Sequence, residues 1–249
     1  MGSKKYRGKA CVYRVDGVAT TADHIVAREF FPGDRRADLP KAPACTRCNG
    51  QKSVLEAYLT TVLPFGSTHS AALCGQLEKV GRRLELNARL REELCSGAQP
   101  ALVRAEDGAL TPTFTLPFDG EKFVEYGRLV VRGLIWHEWG VIVPAEYTVE
   151  VMTLTQLGYS FFRDYLLKMN PQGRRDATHA GGGFAYSCTR NSTDPAFSAW
   201  HIQMYDGVNL AEADGEAGLE MCAMTGPATI RRLIDRFVSL ADGERRADG

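Results

Sequence analysis

Residues 11 to 52 gather an imidazole beside a carboxylate (Asp23-His24 in TADHIVAREFF), three cysteines (Cys11, Cys45 and Cys48), an amide at Asn49 and an ammonium at Lys52. An imidazole with an ordinary pKa of about 6.5 is mostly neutral at cellular pH and still accepts a proton, which suits activation of an attacking water. Asp23 and Asn49 both present oxygen, the donor Mg²⁺ prefers, and such sites commonly use one or two protein groups plus water and phosphate. A cation held there would polarise a scissile phosphate and stabilise the departing oxygen. Lys52 stands three residues after Asn49, on the same face of a helix and near its N-terminal end, where free N–H groups also favour phosphate. Arg47 and Arg28, with Arg35 and Arg36, are candidate contacts to a nucleic-acid backbone. These are the parts needed to hydrolyse a phosphodiester.

The elements that must position them can be read from pattern. Residues 9–26 read as a β-hairpin, with alternating Cys11, Tyr13 and Val15 leading to the Asp16-Gly17 turn signal. Residues 27–44 read as an irregular loop, because Pro32-Gly33-Asp34, Pro40 and Pro43 disfavour helix and central strand. A helix over 46–62 follows, with Leu55, Tyr58, Leu59 and Val62 on one face and Pro64-Phe65-Gly66 ending it.

Strand, strand, loop and helix carrying Asp-His…Cys-x-x-Cys-Asn-x-x-Lys resembles the HNH (ββα-metal) endonuclease family, over roughly residues 6–66 by this motif reading. The resemblance implies a metal-dependent endonuclease acting on DNA, with RNA as the other candidate substrate. It makes His24 the general base, Asp23 and Asn49 the ligands of one Mg²⁺ or Mn²⁺, and Lys52 a phosphate contact. Two positions depart from the family pattern. Asp38, before Leu39, stands where an Asn is expected; it could accept a hydrogen bond from His24 and fix its tautomer, or be a plain loop residue. The first cysteine pair reads Cys11-x-x-Arg14 where many members have a second Cys-x-x-Cys. Three thiolates without a fourth ligand make a poor structural site. Cys11, Cys45 and Cys48 therefore either hold Zn²⁺ with a ligand not identified in the sequence or form a metal-free knuckle of buried thiols.

The rest of the chain completes an α+β expectation: an HNH module (1–68), a connecting amphipathic helix read over 72–94 (69–99), and a C-terminal α+β domain with an antiparallel sheet (100–249). In that last part, Asp119 caps a helix ending at Gly140, and a strand (141–151) and a helix (154–169) follow. Residues 170–183 read as a loop carrying Arg174, Arg175 and His179. Strands come in GFAYSCTRN, SAWHIQMYDGV and LEMCAMT, and a helix closes the chain over 227–240. His137-Glu138 could form an acid/base pair but reads better as a packed helix end.

The formal net charge of zero conceals an asymmetry. Residues 1–60 carry 11 Lys/Arg against 6 Asp/Glu, whereas residues 61–249 carry 19 against 24, which favours a polyanion on the first part only. No apolar run approaches the roughly 20 residues a membrane span requires, and no secretory signal is evident. The expectation is a cytoplasmic protein with reduced cysteines and no membrane partner. Two other readings stand beside the nuclease. One is a nucleic-acid-binding HNH-like protein without turnover, and the other an effector gated by a partner or ligand on the C-terminal domain.

Overall fold

The computed structural model describes residues 4–104, 110–154, 156–211, 217–218, 220–232 and 234–235. Strand β1 (Thr21–His24) pairs antiparallel with β2 (Lys41–Ala44), Asp23 opposite Ala42 and His24 opposite Lys41. The partner of β1 is therefore not the segment at 11–15, as the turn signal suggested. Residues 11–17 instead close a tight knuckle, with Cys11 N–H donating to Gly17 O at 2.7 Å and Gly17 N–H to Arg14 O at 3.2 Å. The paired strand falls within the stretch expected to be irregular. A two-stranded ribbon tolerates Pro43 because every strand in it is an edge, and the Pro43 carbonyl accepts from Val12 N–H at 3.1 Å.

Helix α1 (Thr46–Val62) occupies the expected span. The helix expected over 72–94 is broken into α2 (Ser70–Gly75), a π-helical turn (Gln76–Val80), α3 (Gly81–Leu86) and α4 (Ala88–Gly97). Asn87 causes the last break: it leaves helical geometry (φ −126°, ψ 76°), and its Oδ1 accepts from Leu90 N–H at 3.1 Å, capping α4. The proline-rich stretch after it forms a hairpin, β3 (Gln99–Arg104) with β4 (Leu110–Thr115).

Helix α5 (Gly120–Trp139) begins and ends as its sequence dictates. Asp119 Oδ1 accepts from Lys122 N–H at 3.0 Å, and Gly140 takes the left-handed conformation (φ 66°) that closes the last turn. Then come β5 (Tyr147–Leu154), α6 (Gln156–Met169), β6 (Arg175–His179), β7 (Phe184–Arg190), β8 (Ser198–Met204), a short pair β9 (Leu210–Ala211) and β10 (Ala217–Gly218), and β11 (Glu220–Pro227). Strand β6 lies where the Arg/Gly-rich segment suggested loop. Five strands make one antiparallel sheet in the order β5-β11-β8-β7-β6. Of the closing helix expected over 227–240, a helical turn is described around Ile230 and Ile234, and the expected span from 236 to 240 lies outside the described residues.

Core packing crosses the boundary expected near residue 100. One buried cluster joins Cys11, Ile25, Phe30, Phe31 and Leu59 to Val130, Leu134, Phe184, Trp200 and Met221, so α5 lies between the N-terminal unit and one face of the sheet. A second cluster, with Phe162, Ala199, Cys222 and Met224, fills the face under α6. No helix among the described residues is long and apolar enough to cross a membrane.

On α5, Gly133 packs against Ile25, the residue after His24. A Cβ at Gly133 would lie 2.9 Å and 3.0 Å from the two Cγ atoms of Ile25. Gly133→Val should therefore cost about 1–3 kcal/mol by overpacking. Gly50→Ala, in α1 with nothing within 4 Å of the added carbon, should gain up to about 1 kcal/mol through helix propensity. Urea unfolding of the two variants checks both signs.

Candidate functional site

Lys52 organises the residues around β1. Buried in helix interiors, a lysine needs every donor satisfied, and here the ammonium donates to Glu56 Oε1 at 2.5 Å and His24 O at 2.7 Å and lies 2.9 Å from Asp23 Oδ2. Its side chain is fully buried, above the ring of Tyr126 at 5.8 Å. The expected contact between Lys52 and phosphate is thereby corrected: an ammonium with no exposed surface cannot meet a ligand, and it fixes β1 to α1 instead. Cys48, Lys52, Leu55, Leu59 and Val62 are all buried along α1, at spacings of four, three, four and three. Lys52 lies on the core stripe, a signal present in the sequence.

Asp23 is buried, and its Oδ2 also accepts from Tyr13 Oη at 2.6 Å. Its Oδ1 accepts no hydrogen bond among the described residues. Burial pushes the Glu56 carboxyl above its ordinary range, against the opposing pull of Lys52. Asn49 lies one helical turn before Lys52 on the same face of α1 and is partly exposed. Its main chain is used, accepting from Ser53 Oγ at 2.9 Å, while its amide side chain makes no hydrogen bond among the described residues. One carboxylate oxygen and one amide oxygen are left as hard donors, which fits a Mg²⁺-type cation completed by water and phosphate. The triad Asp23, Lys52 and Glu56, taken as charged, nets one negative charge, which also suits a cation.

His24 is the last residue of β1, so the strict alternation of side chains stops with it. It is half-buried, and its pKa is lowered to about 4, first by that burial and then by Lys41 and Arg28, with Asp23 opposing. The imidazole is neutral at cellular pH. Lys41, its cross-strand neighbour, was hidden to sequence reading because β2 read as loop. Neither Lys41 nor Arg28 is in an ion pair among the described residues, and Arg28 is exposed. Arg47 is also exposed and lines a groove of about 340 Å³ with Tyr13, Arg14 and Gln51. Tyr13 thus connects that groove to Asp23.

Asp38 does not contact His24, which corrects its expected role in orienting the base. Its carboxylate accepts from Ala180 N–H at 3.1 Å and lies 3.6 Å from His179 Nδ1. The main chain after β1 turns away, and Asp38 binds the corner between β6 and β7 instead. His137 and Glu138 do not act as a pair either: Glu138 accepts from Tyr186 Oη at 2.5 Å, and burial lowers the His137 pKa.

The cysteines converge as the spacing suggested. The Sγ atoms of Cys11, Cys45 and Cys48 lie within 4.8 Å of one another, and this group could hold a metal ion. Cys45 N–H donates to Cys11 Sγ at 3.3 Å. Burial raises the Cys48 thiol to about 12, helped by its hydrogen bond with Cys45; on Cys45, hydrogen bonds from Cys48 and Cys11 outweigh burial and lower the thiol. No fourth Cys, His, Asp or Glu joins them among the described residues.

The chain matches no family model, no curated protein and no solved structure.

Replacing Lys52 by Met should cost about 3–5 kcal/mol, the usual penalty for removing one partner of a buried ion pair; Glu56→Gln in the same chain should recover part of it. Urea unfolding of the single and double variants measures both. The His24 ring, followed by NMR in chelator-treated protein, should titrate near 4. Because the folded pKa is depressed, its contribution to stability is fully present above about pH 6.5 and is lost as pH falls toward 4. His24→Gln should flatten stability across that window.

Proposed function

We propose that the protein is a metal-dependent endonuclease of HNH type that hydrolyses phosphodiester bonds in DNA. The observation that carries this reading is the joint position of the Asp23-His24 strand end and the first turns of α1. Lys52 ties the two together, and Asp23 Oδ1 and the Asn49 amide have no hydrogen bond among the described residues. His24, neutral and flanked by cations, takes the proton from an attacking water. The new P–O bond forms from that water, the bond to the 3′-oxygen breaks, and the leaving oxygen is protonated from solvent. A Mg²⁺ or Mn²⁺ held by Asp23 and Asn49 would supply charge stabilisation at the phosphate and the leaving oxygen. Arg28, Lys41 and Arg47 draw the backbone in. Zn²⁺ on Cys11, Cys45 and Cys48 would pin the knuckle to the start of α1, a structural task.

A second reading, binding without turnover, draws on the ion pair that occupies Asp23 Oδ2. Plasmid cleavage separates the two. The wild type should nick or cut with Mg²⁺ or Mn²⁺, and His24→Ala should lose at least about a hundredfold, the usual share of a general base. Salt-sensitive binding without cleavage in either metal would establish the second reading. Arg28→Ala with Lys41→Ala should lower the slope of log affinity against log salt by about two. Elemental analysis of the same preparations decides between the two readings of the cysteines. Zinc in the wild type and little in Cys45→Ser would establish a thiolate metal site, whereas no zinc in the wild type, or equal zinc in both, would leave a metal-free knuckle.

A further inference from the structure

The face of the five-stranded sheet beneath α6 changes character from one side to the other. Toward β5 and β11 it is apolar, with Met224, Cys222, Ala199 and Phe162 buried together. Register then places His201 beside Cys222, Ser187 beside His201, and Asp176 beside Ser187, a polar row crossing β8, β7 and β6. Covering polar groups with a helix is costly unless each is bonded, and most of these are. His201, 5% exposed, bonds Glu220 through Nε2 and meets Tyr159 Oη at 3.4 Å through Nδ1. Gln203 donates to the other Glu220 oxygen at 3.0 Å. Ser187 donates to Asp176 at 2.6 Å, and Thr189 to Asn170 O at 2.9 Å.

What this network leaves over is a set of donors around a recess. The recess, of about 60 Å³, is lined by Tyr159, Arg163, Arg174, Ser187, Thr189 and His201. It has room for roughly four waters at about 15 Å³ each. Arg174 is held by Asp176 through Nε and Nη2, at 2.9 Å and 3.0 Å, and its Nη1 is unbonded among the described residues. Arg163 lies over the Tyr159 ring at 5.9 Å and, among the described residues, approaches Asp164 at 4.0 Å. Asp176 is engaged by Arg174 and Ser187, and Glu220 by His201 and Gln203, so neither presents an unbonded carboxylate to the opening. Two guanidinium forks restrained by neighbours are a donor set for a planar or tetrahedral oxyanion.

The geometry points to an anion-binding site here, in the C-terminal half, for the phosphate group of a small molecule. Only the anionic group fits the recess; the remainder of the molecule lies outside it, over Tyr159 and Arg163. The site stands apart from His24 and holds whether or not the N-terminal unit cleaves DNA. Under the nuclease reading, it supplies the ligand class through which the C-terminal half could gate the enzyme.

Inorganic phosphate, titrated into the full chain by calorimetry, tests it. The wild type should bind with a Kd of about 1 mM or tighter. Arg163→Gln with Arg174→Gln should weaken binding at least about tenfold. Both arginines are largely exposed, so the variant should keep its melting temperature, and Arg163→Lys should fall between. No binding, or equal binding in the double variant, would overturn the site, the latter by showing that phosphate docks elsewhere in the chain. Cleavage assays play no part in the readout, so failure of the nuclease reading would leave this result intact.

Discussion

A lysine ammonium removed from water is tolerable only where acceptors surround it, and Lys52 has three: Asp23, Glu56 and the carbonyl of His24. Such a centre is a poor source of net stability, because desolvation offsets much of the attraction. Its value is positional. The carbonyl contact fixes the last residue of β1, and the carboxylate contact fixes the one before it. Both are tied to a helix whose preceding turn carries Asn49. Replace the ammonium with an apolar group and two carboxylates face one another without a counter-charge. The local geometry of Asp23 and His24 follows from that arrangement.

The loop between β1 and β2 cannot rely on its own short ribbon, and the C-terminal half supplies the missing support. Tyr205 Oη donates to Phe30 O at 2.8 Å, Ala27 N–H donates to Tyr126 Oη at 3.2 Å, and Ala180 N–H reaches Asp38. Two of these partners sit on corners with left-handed backbone at non-glycine residues, Ala180 (φ 55°) and Tyr205 (φ 56°), joined through Tyr205 N–H to Gly183 O at 2.9 Å. Conformations of this kind cost of order 1–3 kcal/mol each and persist only where surrounding contacts overdetermine them. The contacts here are those to the loop. The sheet is thus part of the framework that holds the residues following His24, which explains why one core runs through both halves.

Helix α1, α5 with both of its caps and most strands of the large sheet were legible because each depends on local pattern, whereas the meeting of Cys11 with Cys45, 34 positions on, was expected only through the family resemblance. What escaped depended on pairing across distance. Strand β2 was hidden by Pro40 and Pro43, residues that break central strands but not a two-stranded edge, and with it went the register that sets Lys41 opposite His24. Asp38 was legible as a conspicuous loop acidic residue, but its partner lies 142 positions away. Lys52 was misjudged because lysine is almost never fully buried unless paired. Its place on the apolar stripe of α1 outweighed that prior.

The cations beside His24 act in two ways that pull against each other. Under the proposed nuclease reading Lys41 and Arg28 would attract a phosphate backbone, and the same charges help burial to hold the imidazole near pKa 4. A base that weak is always unprotonated at neutral pH but has little driving force for accepting a proton, since efficiency peaks when the pKa approaches the working pH. A phosphodiester seated against the two cations would cancel part of their field and return the imidazole toward its ordinary value of about 6.5. The base would then gain strength only with the substrate present, while in the free protein it stays neutral and uncommitted.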